Sequence, residues 1–252
     1  IMKTEDKDCF NIPEGGSKSL DILDYCFNES TQTFLLKSGL DYGMKVLEIG
    51  CGSGKMSGFI AKQIGDNGQL IAIDNNKNQI DAALDFATHN KINNVLFKCF
   101  DAYDITELNT KFNLIYCRFV LHHLSRPREV IKNIYSLLKP GGIAVIEEGI
   151  VNHAFTYPHS TIFGNERFDI TDRHNNFEGI GRDGNFGIKL WHSMYHAGFN
   201  NLSLNIVSPA LTSKTEKAML RVGLIDSKQS ALEGGLSEKE WEEKMQQLDH
   251  LI

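Results

Sequence analysis

The stretch "VLEIGCGSGK", Val46 to Lys55, sets three glycines on alternate positions directly behind a short apolar run. The run reads as a strand. Gly50, Gly52 and Gly54 read as the turn that leaves it, because a residue without Cβ lets the backbone pass close under a ligand. "KMSGFIAKQIG" continues as a helix, with Gly65 where a C-terminal glycine belongs. Strand, glycine turn and helix in this order predict the ligand-binding start of an α/β sheet.

The pattern repeats downstream. "QLIAID" is a second strand, and a helix from about Asn76 to Asn90 carries Ile80, Ala83, Leu84 and Ala87 on one face, with Asn75 available as its cap. "NVLFKCF" and "FNLIYCR" are the third and fourth strands. "SRPREVIKNIYSLLKPGG" is a capped helix with Pro127 in its first turn, and "IAVIEE" is the fifth strand. Regular alternation predicts an α/β fold: a doubly wound, mostly parallel, Rossmann-like sheet with helices on both faces. Residues 16–39 read as helical, so residues 1–39 are expected to form an N-terminal helical cover and residues 40–252 the main domain. Residues 149–186 lack periodicity but carry Phe155, Tyr157, Phe163, Phe168, Phe177 and Phe186. An irregular insertion of that length after the fifth strand predicts a substrate lid. Beyond it come a helix, "FGIKLWHSMYHAGF", a sixth strand, "NLSLNIVS", and a helical end opened by the capping box "SEKE", Ser237 to Glu240.

With 252 residues, 41% of them hydrophobic, the chain has enough apolar material for a sizeable core. Its formal net charge of -6 and lack of basic runs argue against nucleic acid, and DNA in particular, as the main partner. The cysteines, Cys9, Cys26, Cys51, Cys99 and Cys117, are odd in number and form no Cys-x-x-Cys pair. Reduced thiols in a cytoplasmic protein are the simplest account. No uninterrupted apolar span is long enough for a membrane.

Three kinds of glycine loop compete for "VLEIGCGSGK". A triphosphate-binding loop requires an earlier glycine where Ile49 stands and a hydroxyl where Met56 stands. A dinucleotide loop requires a third glycine where Lys55 stands; Asp74, roughly 20 residues on, suits any adenosine ribose. The third reading adds Glu48. Glu-x-Gly-x-Gly-x-Gly after a first strand resembles motif I of the class I S-adenosylmethionine-dependent methyltransferases, where a carboxylate beside the loop suits an ammonium group better than a phosphate. The resemblance extends over residues 40–147, through Asp74, "CFDAYDI", "YCRFVLHHL" and "LLKPGGIAVIEE" in the right order. It implies S-adenosylmethionine as cofactor, held by Glu48, Gly50, Cys51, Gly52, Ser53, Gly54, Asp74, Asn75, Asp101, Ala102, Cys117 and Arg118. Asp74 would accept from the ribose hydroxyls and Asp101 from the adenine amino group. "GGSKSLDILDY" and "EGIGRDGNFGIKLWHSMYHAGF" are similar to a small-molecule subgroup with a helical N-terminal cover. That subgroup closes with a seventh, antiparallel strand. No candidate for it precedes Ile252, so a truncated or partly disordered C-terminus is expected.

Methyl transfer from a sulfonium is an in-line displacement, served by proximity and sometimes by a base. His122 and His123, just past the fourth strand, are the candidate bases, against a packing or capping role. His153, Tyr157 and His159 in the insertion are candidates to bind the substrate, and His174 lies in the same segment. No metal is expected, since His153 and His159 across Pro158 match no recognised ligand spacing. The Asn/Asp-Pro-Pro-aromatic sequence of amino-directed DNA methyltransferases is absent, with "CRFV" in its place, and no Pro-Cys nucleophile occurs. The expected reaction is therefore methyl transfer to a small organic acceptor. A protein- or RNA-directed enzyme and a catalytically silent cofactor-binding module are the alternatives.

Overall fold

In the computed structural model of the chain the five apolar runs form one parallel sheet. Its strands are β1 (Lys45–Ile49), β2 (Gln69–Asp74), β3 (Val95–Cys99), β4 (Phe112–Arg118) and β5 (Leu138–Glu147), in the order β3-β2-β1-β4-β5. The structure describes residues 17–150, 183–233 and 235–251. The helices are α1 (Ser17–Ser38), α2 (Lys55–Ile64), α3 (Lys77–His89), α4 (Pro127–Leu137), α5 (Phe186–His196), α6 (Lys214–Glu233) and α7 (Glu238–Leu251). Of the described residues, those from 30 to 206 form one compact unit, which holds the whole sheet, and those before 30 and after 206 form the other.

The core follows from period-two alternation along buried strands. Leu47, Ile49, Ile71, Ile73, Ile115 and Cys117 face α4 and α5, where Val130, Ile131, Ile134, Phe186 and Leu190 cover them. Val46, Leu70, Ala72, Leu114, Tyr116 and Val145 face the other way, against Met56, Ile60 and Ile64 of α2, Ile80 of α3 and Leu35 of α1. The chain steps outward from β1 to β2 and β3, then returns across β1 to β4. The C-terminal ends of β1 and β4 therefore flank the point where strand order reverses, and that crevice is where an open α/β sheet takes its ligand.

Three local expectations are corrected. The cap of α3 is Asn76, not Asn75: its side chain accepts the Asn78 amide at 2.9 Å. The helix α4 has no side-chain cap, since Arg126 holds that position and Ser125 Oγ lies 3.2 Å from the Tyr103 hydroxyl. Residues 201–208 form no strand. Their alternating Leu202, Leu204 and Ile206 fit one, but a strand persists only in a ladder, and among the described residues β5 pairs with β4 alone. Leu204 and Ile206 stand exposed instead. Gly65 does end α2, at φ 63°, and Ser237 and Glu240 form the reciprocal capping bonds at the start of α7.

Candidate functional site

The glycine turn is held from below and from both sides. The amides of Gly50 and Cys51 both donate to the Ile73 carbonyl of β2, at 2.8 and 2.9 Å. Gly50, Gly52 and Gly54 have φ of 76°, 51° and 84°, all in the left-handed region that L side chains rarely adopt. A Cβ on Gly50 would meet Val120 Cγ2 at 2.2 Å, and one on Gly54 would meet the Ala83 Cα at 3.1 Å. The loop after β1 thus touches the turn after β4 directly, across the crevice. The cradle is one that a side chain would fill.

Glu48 lies beneath this cradle. Alternation turns it to the α2 side, where it is buried and accepts a 2.5 Å hydrogen bond from the Ser57 hydroxyl. Ser57, itself fully buried, was not singled out from sequence, since a serine in a first helical turn carries no signal by itself. Asp74 ends β2 and spends one lone pair of each oxygen on the loop: Oδ2 accepts the Gly52 amide at 3.0 Å and Oδ1 the Asn76 amide at 2.9 Å. Two acceptor sites per oxygen leave capacity for a pair of ribose hydroxyls. Asn75 is exposed beside it, its carbonyl 3.6 Å from Cys99 Sγ. Asp101 caps the 3-10 helix Ala102–Leu108 through the Tyr103 amide at 2.9 Å, with its side chain exposed and Ala102 buried. These acidic residues and the glycines share the C-terminal edge of β1, β2 and β3.

The turn after β4 is unusual. Phe119 adopts φ 54°, a conformation costly for a bulky residue, and its amide donates to the Glu147 carbonyl at 2.9 Å. Glu148 then fastens the turn: Oε1 accepts the Val120 and Leu121 amides at 3.1 and 2.7 Å, and Oε2 lies 2.7 Å from His122 Nδ1. The Glu148 side chain is fully buried, that of His122 is 21% exposed, and His123 is exposed with its ring centre 3.8 Å from that of His122. In sequence, Glu147 and Glu148 are only the charged end of the fifth strand. Consecutive strand residues face opposite ways, so Glu148 goes to His122 while Glu147 goes to α1, where Oε2 accepts the Thr31 hydroxyl at 2.8 Å. Burial pushes the Glu147 carboxyl above its ordinary range, against the Thr31 hydrogen bond and the Arg118 charge.

Neither cysteine here is primed as a nucleophile. Burial, with Glu48 and Asp74 adding, pushes the Cys51 thiol well up, and burial with Glu148 and Glu147 does the same to Cys117. His153, Tyr157, His159, residues 151–182 of the insertion proposed as a lid, and Cys9 lie outside the described residues, while Phe186, read with the insertion's aromatics, is instead a buried core residue opening α5.

A parallel sheet in this strand order, with a Glu-x-Gly-x-Gly-x-Gly turn at the reversal and an acidic residue ending the second strand, is the architecture of class I S-adenosylmethionine-dependent methyltransferases. The chain belongs to the family of methyltransferase domains, whose pattern matches residues 40–181. It is similar to a ubiquinone biosynthesis O-methyltransferase of Coxiella burnetii, 34% identical over 101 residues, covering 40% of this chain and 41% of that protein. The match thus spans about two fifths of the length of such curated relatives. Among solved structures, the cyclase SpnF superposes with a TM-score of 0.58 at 21% identity, covering 88% of this chain and 76% of that one. A methyltransferase from Aquifex aeolicus superposes with a TM-score of 0.51 at 17% identity, covering 71% and 87%. At such identities the superpositions establish the fold, and a cyclase among them underlines that the fold does not choose the chemistry. No helix among the described residues is long and apolar enough to cross a membrane.

Proposed function

We propose that this protein transfers a methyl group from S-adenosylmethionine to a small organic acceptor in the cytoplasm, with His122 as the base. The observation that carries the reading is one chain of contacts: Gly50 abuts Val120, and Glu148 holds Val120, Leu121 and His122 together. A base is thereby fixed two residues from the wall of the cofactor cradle.

S-adenosylmethionine supplies an electrophilic methyl on a sulfonium, so the protein's tasks are placement and removal of one proton. In this reading Gly50, Cys51, Gly52, Ser53 and Gly54 offer backbone to the methionine portion, and Glu48 lends negative charge from beneath. Asp74 and Asn75 receive the ribose, Asp101 and Ala102 the adenine, and Cys117 and Arg118 close the crevice at β4. Glu148 at Nδ1 favours the tautomer with that nitrogen protonated, which leaves Nε2 to accept the acceptor's proton. Of the two histidines the same geometry favours His122, which Glu148 holds at Nδ1. The similarity to the Coxiella ubiquinone biosynthesis O-methyltransferase supports a small acceptor.

The test is a labelled-methyl assay on the full chain against separated small-molecule, protein and RNA fractions of a cell extract. Label in the small-molecule fraction is expected, with His122→Gln lowering kcat by roughly 10²–10⁴-fold and leaving cofactor affinity unchanged. Label only in protein or RNA contradicts the acceptor class. No transfer despite tight cofactor binding identifies a silent binding module.

A further inference from the structure

On the α1 face of the sheet, two buried polar atoms have no hydrogen-bond partner: the Tyr116 hydroxyl and Glu147 Oε1. Tyr116 is 2% exposed and is among the largest fully enclosed side chains next to the core. Register pairs Tyr116 with Val145 and Arg118 with Glu147, so the two orphans come from neighbouring strands, one step apart along the same face. A buried group left without a partner costs roughly 1–3 kcal/mol, which calls for a compensating role. The surroundings define what could fill it. Thr31 Oγ1 donates to the other Glu147 oxygen and accepts from Arg118 Nη1 at 3.3 Å. Arg118 and Glu147 end β4 and β5 and are only partly buried as residues, whereas the two orphan atoms themselves are buried.

We propose that Tyr116 and Glu147 form a subsite for a neutral hydroxyl group of the methyl acceptor, bridging the phenol of one and the free carboxyl oxygen of the other. The inference rests on the small-acceptor reading above and gives that acceptor a chemical class, a phenol or alcohol. The choice follows from complementarity. A hydroxyl is both donor and acceptor, so it complements the Tyr116 phenol together with the free Glu147 oxygen whether that oxygen accepts or carries the proton. A carboxylate or phosphate would face Glu147, with Glu148 and Glu48 also close enough to weigh on this end of the sheet. An ammonium group would face Arg118 and has no lone pair for the tyrosine proton. Burial holds both Tyr116 and Glu147 toward their uncharged forms, which matches a neutral ligand. A site built this way rejects analogues that lack the hydroxyl, because its buried groups are then left unpaired.

The experiment is calorimetry on the full chain saturated with S-adenosylhomocysteine, using catechol, aniline and benzoate as probes. Catechol is expected to bind and benzoate not. Tyr116→Phe and Glu147→Gln are each expected to weaken catechol by roughly tenfold, the worth of one buried hydrogen bond, with S-adenosylhomocysteine affinity unchanged. Tyr116→Phe is also expected to hold or raise Tm, because it deletes an unsatisfied hydroxyl. Three results overturn the subsite: catechol affinity indifferent to both variants, benzoate or aniline binding more tightly than catechol, or a lower Tm for Tyr116→Phe. The fractionated labelling assay separates this from the underlying reading. Label in small molecules with a failed catechol test removes the subsite alone, whereas label confined to protein or RNA removes both.

Discussion

At the scale of single residues, Asp74 does more than its position after β2 implied. Both its oxygens already hold loop amides, Gly52 and Asn76, so Asp74→Ala unties the loop and, in the proposed reading, removes the ribose acceptors as well. Cofactor affinity is expected to fall at least ~10-fold by calorimetry, two charge-assisted hydrogen bonds being at stake, with a lowered Tm. Asp74→Asn keeps one acceptor oxygen and should lose less of both. Gly50→Ala faces Val120 and a φ of 76°; adding Val120→Ala should relieve the clash and restore only part of the Tm. Glu147 gives a pH signature. Its carboxyl is raised in the fold, so its contribution to stability is full below the ordinary carboxylate range and is lost as pH rises through the raised value. The Tm of Glu147→Gln relative to the parent should therefore climb from acidic to neutral pH. A flat difference would show that Glu147 is not perturbed.

At the scale of elements, the strands and their glycine turn were legible because burial on both faces leaves an unmistakable apolar run and because three alternate glycines have few other uses. The sites made by neighbouring elements were not. "EE" at the end of β5 looks like a solvated strand end, and only the pleat reveals that its two carboxylates serve opposite faces, one at Thr31 and one at His122. Thr31 sits in a helix whose sequence gives no reason to prefer it. The period of "NLSLNIVS" predicts a strand that does not form, because period describes a residue's neighbours along the chain and says nothing of a partner across it. Glu148→Gln tests the element-level clamp. It keeps acceptors for the Val120 and Leu121 amides through its carbonyl but weakens the hold on His122. The expected outcome is a lower kcat and a shifted pH–rate profile with cofactor affinity retained, whereas a merely structural role would lower Tm and leave the profile in place.

At the scale of the whole molecule, strand order brings together residues far apart in sequence. Gly50 and Val120 meet because β4 returns to the other side of β1, and the same return sets Asp74 and His122 on either flank of one crevice. The net charge of -6 agrees with a ligand read by a few local contacts, not by a broad basic surface. Family membership and fold fix the cofactor class, while the proposal assigns the acceptor to side chains at the ends of β4 and β5. The central claim is that the glycine turn and Asp74 hold S-adenosylmethionine at the strand reversal. Calorimetry of the full chain with S-adenosylhomocysteine and with NAD tests it most directly. The account predicts one S-adenosylhomocysteine per chain, binding abolished by Gly52→Val and weakened by Asp74→Ala, and no response to NAD. Binding of NAD with none of S-adenosylhomocysteine would contradict it.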